Sequence, residues 1–479
     1  MAWRSILHIL SGLLFIVSSA LLFPLAWSLY LEDNLHSLFI FHIVGMTLLG
    51  GLLKYLNPRP TGISIREGFM TVALSWVIFS AFGALPFRIS GYIPSYCDAF
   101  FETMSGFTTT GASILKDIES LPKSLLFWRS MTHWLGGMGV IALAVAIFPS
   151  LGVGGFQLFK AEVPGPTKDK IYPRISQTAK ALWGVYILFT VAETLLLMAG
   201  GMDLFESLCT TFGTLATGGF SPRNASIAAY PSPYIHYVII FFMFAAGASF
   251  NLHFLALKRK FHNYWVDSEF RFYTGVAFLA FICIITNRWF SGEHLSEGLW
   301  RGSLFQAVSI LTTTGFVTED YARWPFVTQL ILLILMFIGG CSSSTGGAIK
   351  NVRICILHRY IGSELKKLLH PRGIFPVKIG LKPVPENVLS NTIGFIALYL
   401  LLFTLGVVTM AWIGLDMESA VGAVAATLGN VGPGLGSVGP VNNYAHLPDL
   451  AKWILSFLMM AGRLEIYTVL IIFYPSFWR

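Results

Sequence analysis

Phe100-Phe101-Glu102-Thr103-Met104-Ser105-Gly106-Phe107-Thr108-Thr109-Thr110-Gly111-Ala112 runs a short apolar helix pattern into a threonine-glycine break, and a long apolar stretch follows at 124–149. The arrangement recurs three more times. The later breaks read Leu215-Ala216-Thr217-Gly218-Gly219-Phe220, Thr312-Thr313-Thr314-Gly315-Phe316 and Gly429-Asn430-Val431-Gly432-Pro433-Gly434. With Gly111, Gly218, Gly315 and Gly432 taken as the central glycines, the spacings are 107, 97 and 117 residues (218−111, 315−218, 432−315). A near-regular period marks one structural unit repeated four times. Inside a membrane, non-helical backbone survives only where protein buries it or where it lines a wet cavity. Four such breaks in one chain can close a ring around one axis, which is the plan of an ion-selectivity filter.

Composition places the chain in a membrane. Its 479 residues are 55% hydrophobic and 12% charged, with a mean hydropathy of +0.68; soluble domains carry about 25% charged residues. Ten apolar stretches approach the roughly 20 residues a spanning helix needs, near 5–30, 36–56, 67–87, 124–149, 177–200, 233–257, 270–290, 326–349, 388–413 and 449–474. Four shorter segments, near 97–108, 203–215, 300–311 and 417–428, each precede one break and have the length of re-entrant pore helices. The first stretch follows Arg4 but runs on without a small-residue cleavage site, so it reads as a retained helix. Cys97, Cys209, Cys283, Cys341 and Cys355 show no CxxC spacing and indicate neither a disulfide framework nor a metal site.

Charge sets the expected orientation. With ten spans and all four breaks opening on one side, both termini lie on the other. That side holds 22 Lys and Arg and the break side nine, Arg463 completing the 32. The positive-inside rule puts the termini and long loops in the cytoplasm. About 15 of the 24 acids fall on the break side, among them Asp98, Glu102, Asp203, Glu206, Glu319, Asp320 and Asp416, and such a mouth concentrates cations. The formal net charge of +8 is therefore an asymmetry across a bilayer and no sign of nucleic-acid binding.

Potassium is selected by backbone carbonyls that replace its hydration shell. Extended backbone aimed at an axis needs unusual φ/ψ, hence glycine. Thr110-Gly111, Thr217-Gly218 and Thr314-Gly315 add a hydroxyl before the glycine, while the fourth repeat has Val431-Gly432. The expected filter comprises Thr109, Thr110, Gly111 and Ala112; Ala216, Thr217, Gly218 and Gly219; Thr313, Thr314, Gly315 and Phe316; and Asn430, Val431, Gly432 and Pro433. Easing of helix–helix packing accounts for Gly50-Gly51, Gly136-Gly137 and Gly200-Gly201, but not for four breaks that each separate a short segment from a span. Gly434-Leu435-Gly436-Ser437-Val438-Gly439 matches GxGxxG in letters only, since it follows a pore helix and runs into Pro440 rather than opening a helix in a βαβ unit.

These stretches resemble the superfamily of K+ transporters formed by the Trk, Ktr and HKT proteins, and most closely its bacterial TrkH/TrkG group, over the whole chain. Trp134-Leu135-Gly136-Gly137-Met138-Gly139, Ala161-Glu162-Val163-Pro164-Gly165-Pro166, Gly462-Arg463-Leu464-Glu465 and Phe477-Trp478-Arg479 carry the likeness further. It implies an all-α integral membrane protein of four M1–P–M2 pore-loop repeats around a pseudo-fourfold pore, with two extra N-terminal transmembrane helices. The expected units are 1–60 for that N-terminal pair, then repeats at 61–165, 166–262, 263–372 and 373–479. Gly111 resembles the K+-selective members; some Na+-selective relatives carry serine there.

Ile338-Gly339-Gly340-Cys341-Ser342-Ser343-Ser344-Thr345-Gly346-Gly347-Ala348 interrupts an apolar helix with residues no continuous helix favours. In TrkH-like proteins the matching stretch is an intramembrane loop that blocks the pore below the filter, so the resemblance implies a gate of Gly340, Cys341, Ser342, Ser343, Ser344, Thr345, Gly346 and Gly347. Arg463 lies mid-span, where a charge costs at least ~2.5–3.5 kcal/mol, and is the expected donor to the loop carbonyls. Pairing with Glu465 is the weaker option, because helical neighbours two apart do not face each other. Lys350 anchors the loop or serves as a positive-inside charge. Glu193 reads as a buried structural carboxyl; His42, His133 and His253 lack metal spacing; and Asn224-Ala225-Ser226 is a weak glycosylation match.

Arg353, Arg359, Lys366, Lys367, Arg372, Lys378 and Lys382 make the 350–386 loop basic, as a leaflet-facing segment would be. By resemblance this face docks a cytosolic ring of TrkA-type regulatory subunits. The chain has no Walker A motif, so a nucleotide (NAD or ATP/ADP) is expected only on that partner. The resemblance also implies a homodimer. No clustered His/Asp/Glu marks a membrane enzyme. The leading expectation is a K+-conducting, Rb+-permeable subunit for uptake across the bacterial inner membrane, with K+ as the only ligand; H+- or Na+-coupled symport and a Na+-permeable relative are the alternatives.

Overall fold

The computed structural model describes residues 2–57, 64–151, 175–380 and 382–479, and side chains outside 140–151, 175–179 and 382 within them. The stretch Ala161-Glu162-Val163-Pro164-Gly165-Pro166 and the unit boundaries at 60/61 and 165/166 lie outside the described residues. Helices dominate; one two-stranded antiparallel ribbon pairs Lys378–Ile379 with Lys382–Pro383.

Among the described residues, six helices are long and apolar enough to cross a membrane: Trp3–Leu31, His36–Leu56, Ile65–Ile89, Lys180–Ala199, Ser268–Phe290 and Glu386–Ile413. Two bent pairs would raise this to eight. Lys123–Leu151 fills a ninth expected position. The tenth, 326–349, is only 13 residues of helix, Phe326–Ile338, before the chain leaves helical geometry at Gly339. Outward faces are apolar, with Phe41, Leu48, Phe278 and Trp412 all exposed, as helices against hydrocarbon require.

Two of the ten expected spans are corrected to bent pairs, and a third is interrupted where the small-residue stretch lies. Pro233–Gly247 and Phe250–Leu257 meet at 104°, Asp449–Arg463 and Tyr467–Phe473 at 115°, and the third repeat's last span is replaced by the 339–350 loop. At the first of these, Gly247 leaves no room for a side chain, since a Cβ would lie 2.5 Å from the Tyr273 hydroxyl and 2.7 Å from Thr312. The breaks gather around one place, the segment 339–350.

The N-terminal pair leans on the first repeat through polar contacts. Within the pair itself, Ser18 donates to the Ile43 carbonyl and pairs with Thr47. Asp33 accepts from Ser124 at 2.5 Å, and Glu67 accepts from the Ala2 amide at 2.7 Å while closing a capping box with Ser64.

Candidate permeation site

Four half-length helices, Tyr96–Phe107, Leu204–Leu215, Glu297–Leu311 and Met417–Leu428, stand where the sequence places them. Each starts at an N-cap whose side chain accepts a backbone N–H three residues on: Ser95, Asp203, Ser296 and Asp416. Each carries an acid in its first turn, Asp98, Glu206, Glu297 and Glu418, where the helix dipole favours negative charge. The Ser419 hydroxyl and amide hold the Asp416 carboxyl below its ordinary range.

All four helices also end alike. Thr109, Thr217, Thr313 and Asn430 adopt left-handed geometry, with φ of 52°, 52°, 62° and 53°. Their N–H groups and those of the next residue reach back to the last turn, as in Thr109 to Gly106 (3.0 Å) and Thr110 to Ser105 (2.8 Å). The same two bonds occur at 217/218, 313/314 and 430/431. This is the Schellman closure, which normally takes glycine at the left-handed position. Three β-branched threonines there cost roughly 1–2 kcal/mol each, a strain kept where surrounding structure enforces it.

The glycine after each of these turns also has positive φ: Gly111 (83°), Gly219 (81°), Gly315 (75°) and Gly432 (97°). These four close a ring. A Cβ on Gly111 would lie 2.0 Å from the Gly218 carbonyl oxygen; on Gly219, 2.1 Å from that of Thr314; on Gly315, 1.9 Å from that of Val431; and on Gly432, 2.5 Å from that of Thr110. Each repeat thus abuts the next, and the fourth abuts the first. The register of the second repeat differs from the expected one: its ring glycine is Gly219, while Gly218 aligns with Thr110, Thr314 and Val431. The spacings become 108, 96 and 117 (219−111, 315−219, 432−315). Four helix C-termini, each worth about half a negative charge, end at this ring, which suits it to a cation.

Polar groups behind the ring fix its carbonyls. Tyr444 donates to Gly432 O at 2.8 Å and Tyr321 to Gly434 O at 3.1 Å. Ser309 donates to Phe316 O at 2.7 Å. Asn430 donates to the Thr110 hydroxyl (3.0 Å) and the Met459 carbonyl (2.9 Å), tying the fourth repeat to the first. His133 stacks on Phe220 with centroids 4.0 Å apart, faces Gly218 and shares a 2.8 Å bond with Gly106 O.

The mouth acids are not free charges. Glu102 is buried, joined to Arg129 at 2.6 Å, and accepts from Ser113 and the Ile114 amide. Arg129 also donates to Ser221 O and lies 3.5 Å over Phe220. Asp98 pairs with Lys452, Glu206 with Arg223, Glu319 with Arg288 and Asp320 with Arg323, while Asp203 and Asp416 are caps. Breaking a buried pair costs about 3–5 kcal/mol because the remaining charge loses its partner. Arg129→Met is therefore expected to destabilise by about that amount, read as a lower midpoint in thermal unfolding of the solubilised protein, with E102Q restoring part of it.

The 339–350 loop packs against the ring's left-handed residues. The Gly347 amide donates to the Thr313 hydroxyl at 2.8 Å, and a Cβ on Gly347 would meet Gly429 O at 2.6 Å. Thr345 donates to Leu215 O at 2.8 Å. The Cys341 amide donates to Gly247 O (2.8 Å) and the Phe250 amide to Ser343 O (3.1 Å). Arg463 donates to Thr345 O at 2.5 Å and to Gly136 O at 2.9 Å, with Gly137 O at 3.4 Å. Loop residues Gly340, Ser342 and Ser344 through Gly346 complete the cluster; Ser344 donates to Cys341 O at 2.6 Å.

Lys350 is buried, and its ammonium donates to Gly346 O, so it closes the loop on itself rather than facing a headgroup. Glu465 pairs with Arg353 at 2.5 Å, and Arg353 lies 3.7 Å over Phe395. Glu193 is fully buried. Sequence reasoning missed Glu102–Arg129, Tyr321, Tyr444, Glu269 and Arg353; a charge inside an apolar run was the available signal for Glu102 and Arg129.

Comparison with known proteins gives one answer. The sequence model of the family described as "TrkH: Cation transport protein" matches residues 35–290 and 297–479. The "Trk system potassium uptake protein TrkH" of Escherichia coli (strain K12) is 43% identical, covering 100% of both chains. The corresponding TrkG of that strain is 35% identical over 99% of each. The crystal structure of the potassium transporter TrkH from Vibrio parahaemolyticus superposes with a TM-score of 0.91 at 38% identity, again over 100% of both chains.

Proposed function

The chain belongs to the TrkH family of cation transport proteins, and on that premise we propose that it takes up potassium through the ring of Gly111, Gly219, Gly315 and Gly432. It is a transporter, not an enzyme, and a multi-pass membrane protein. The ring closure carries the reading: four repeats touch in chain order through backbone carbonyls at the ends of four helices. Ions shed water at carbonyls drawn from the 109–112, 216–219, 313–316 and 430–433 segments. The membrane potential drives inward flow, worth ~2.3 kcal/mol per charge per 100 mV.

The gate is the 340–347 loop with Lys350 and Arg463. Its packing on Thr313 and Gly429 supports a closed state, and the Arg463 guanidinium adds a positive barrier on the permeation axis. The excess of Lys and Arg on one side favours cytoplasmic termini in a bacterial inner membrane. The basic 350–386 segment is the surface offered to a cytosolic TrkA-type ring, which brings the nucleotide, and the working unit is a homodimer.

Growth tests the transport reading. In a bacterial strain stripped of its own potassium uptake, the chain is expected to restore growth at limiting potassium. Verified membrane expression without potassium-dependent rescue, in the presence of a TrkA-type partner, would contradict it.

A further inference from the structure

We propose that Glu269 is a second gate-holding residue, a carboxylate clamp on the first half of the 339–350 loop acting opposite Arg463, which clamps the second half. The inference rests on the gate reading above and adds a residue to it. One carboxylate takes both polar groups of Ser342: the amide reaches Oε1 and the hydroxyl reaches Oε2, each at 2.5 Å. Bonds to an ionised acceptor are roughly twice as strong as neutral ones.

The loop depends on such outside partners. It has no regular hydrogen-bond ladder, and Ser343, Ala348 and Lys350 sit at φ of 60°, 59° and 76°, which disfavours the closed shape unless something holds it. The holders divide in two. Apart from the Ser344 bonds to Cys341 O inside the loop, Cys341, Ser342 and Ser343 are held by the contiguous stretch 247–269, through Gly247 O, the Phe250 amide and Glu269. Thr345 and Gly347 are bound mainly by Leu215, Arg463 and Thr313 from other parts of the ring, with a longer Thr345 bond to Ala246 O at 3.4 Å.

Glu269 itself is rigidly placed. It lies in the first turn of Ser268–Phe290, whose N-cap Asp267 accepts the Phe270 amide at 2.7 Å. The short helix His262–Val266 before it is tied back by Tyr264 to His253 at 2.6 Å. Displacement of the start of the Ser268–Phe290 helix therefore pulls on Ser342 through Glu269.

The test is Rb+ flux into voltage-clamped proteoliposomes, with R463A as the reference for an opened gate. E269Q keeps the size but loses the charge, and is expected to raise flux about tenfold, the shift that ~1.4 kcal/mol makes in a two-state equilibrium, with the K+/Na+ preference unchanged. S342A removes only the hydroxyl bond and is expected to give a smaller rise, absent when combined with E269Q. A merely structural carboxylate would instead lower flux along with the yield of monodisperse protein. If R463A raises flux and E269Q does not, the clamp is refuted and the gate stands; if neither does, the gate reading falls and the clamp with it. Should E269Q fail to insert, S342A decides: a rise supports the clamp and no rise overturns it.

Discussion

Gly219→Ala is expected to abolish permeation, lowering K+ flux by at least about a hundredfold, the scale on which a misplacement of about 1 Å acts at a site built on position. The added Cβ would lie 2.1 Å from the Thr314 carbonyl oxygen and 3.1 Å from the Gly315 carbonyl carbon. Both neighbours are backbone, so no side-chain rotation relieves the contact. The ring must open on that side by more than an ångström, and φ of 81° adds strain of its own. Gly184→Ala is the control, since nothing lies within 4 Å of the new Cβ and alanine favours the helix. Membrane yield and flux at 184 should match wild type. Normal K+ flux through G219A would mean that the ring is not the permeation path.

Arg463→Ala is expected to act in the opposite direction. Its guanidinium ties the last helix to two other parts of the molecule, donating to Thr345 O in the loop and to Gly136 O and Gly137 O in the first repeat. Hydrogen bonds from a charged group contribute about 1.5–3 kcal/mol each. Loss of one favours the open loop by an order of magnitude or more, and the positive barrier disappears as well. Flux of K+ should rise at least about tenfold, with the preference for K+ over Na+ retained because no ring residue is touched. R463K should fall between, since a single ammonium cannot reproduce a planar fork spread over two carbonyls. A drop in flux from R463A in well-folded protein would assign the residue to packing.

The repeats, the four half-length helices, the small-residue loop and Arg463 were legible because each breaks an apolar run, and hydrophobic pattern is what a sequence shows most directly. The second repeat's register was not. Matching Thr-Gly pairs sets Thr217 beside Thr110, whereas the left-handed turn sets it beside Thr109. Gly218-Gly219 offers two glycines, and only backbone geometry chooses between them. The sharp bends after Gly247 and Arg463 escaped for a related reason, because hydropathy stays high across them and records no direction. Long-range polar pairs were hidden by distance along the chain: the Lys452–Asp98 ion pair spans 354 residues, and the Ser342–Glu269 hydrogen bond spans 73. The acids of the mouth and the nine cations on the same side could be counted in the sequence, but which pairs with which could be read only once the helices were placed.

The central claim is that a gated, potassium-selective ring runs through this single chain. Cation flux into proteoliposomes containing the chain alone, at a set voltage and with no proton or sodium gradient, tests it most directly. The account predicts voltage-driven K+ and Rb+ flux exceeding Na+ flux, and a rise when the 340–347 loop is shortened. Flux that appears only when a proton or sodium gradient is imposed would contradict it and make the protein a coupled carrier.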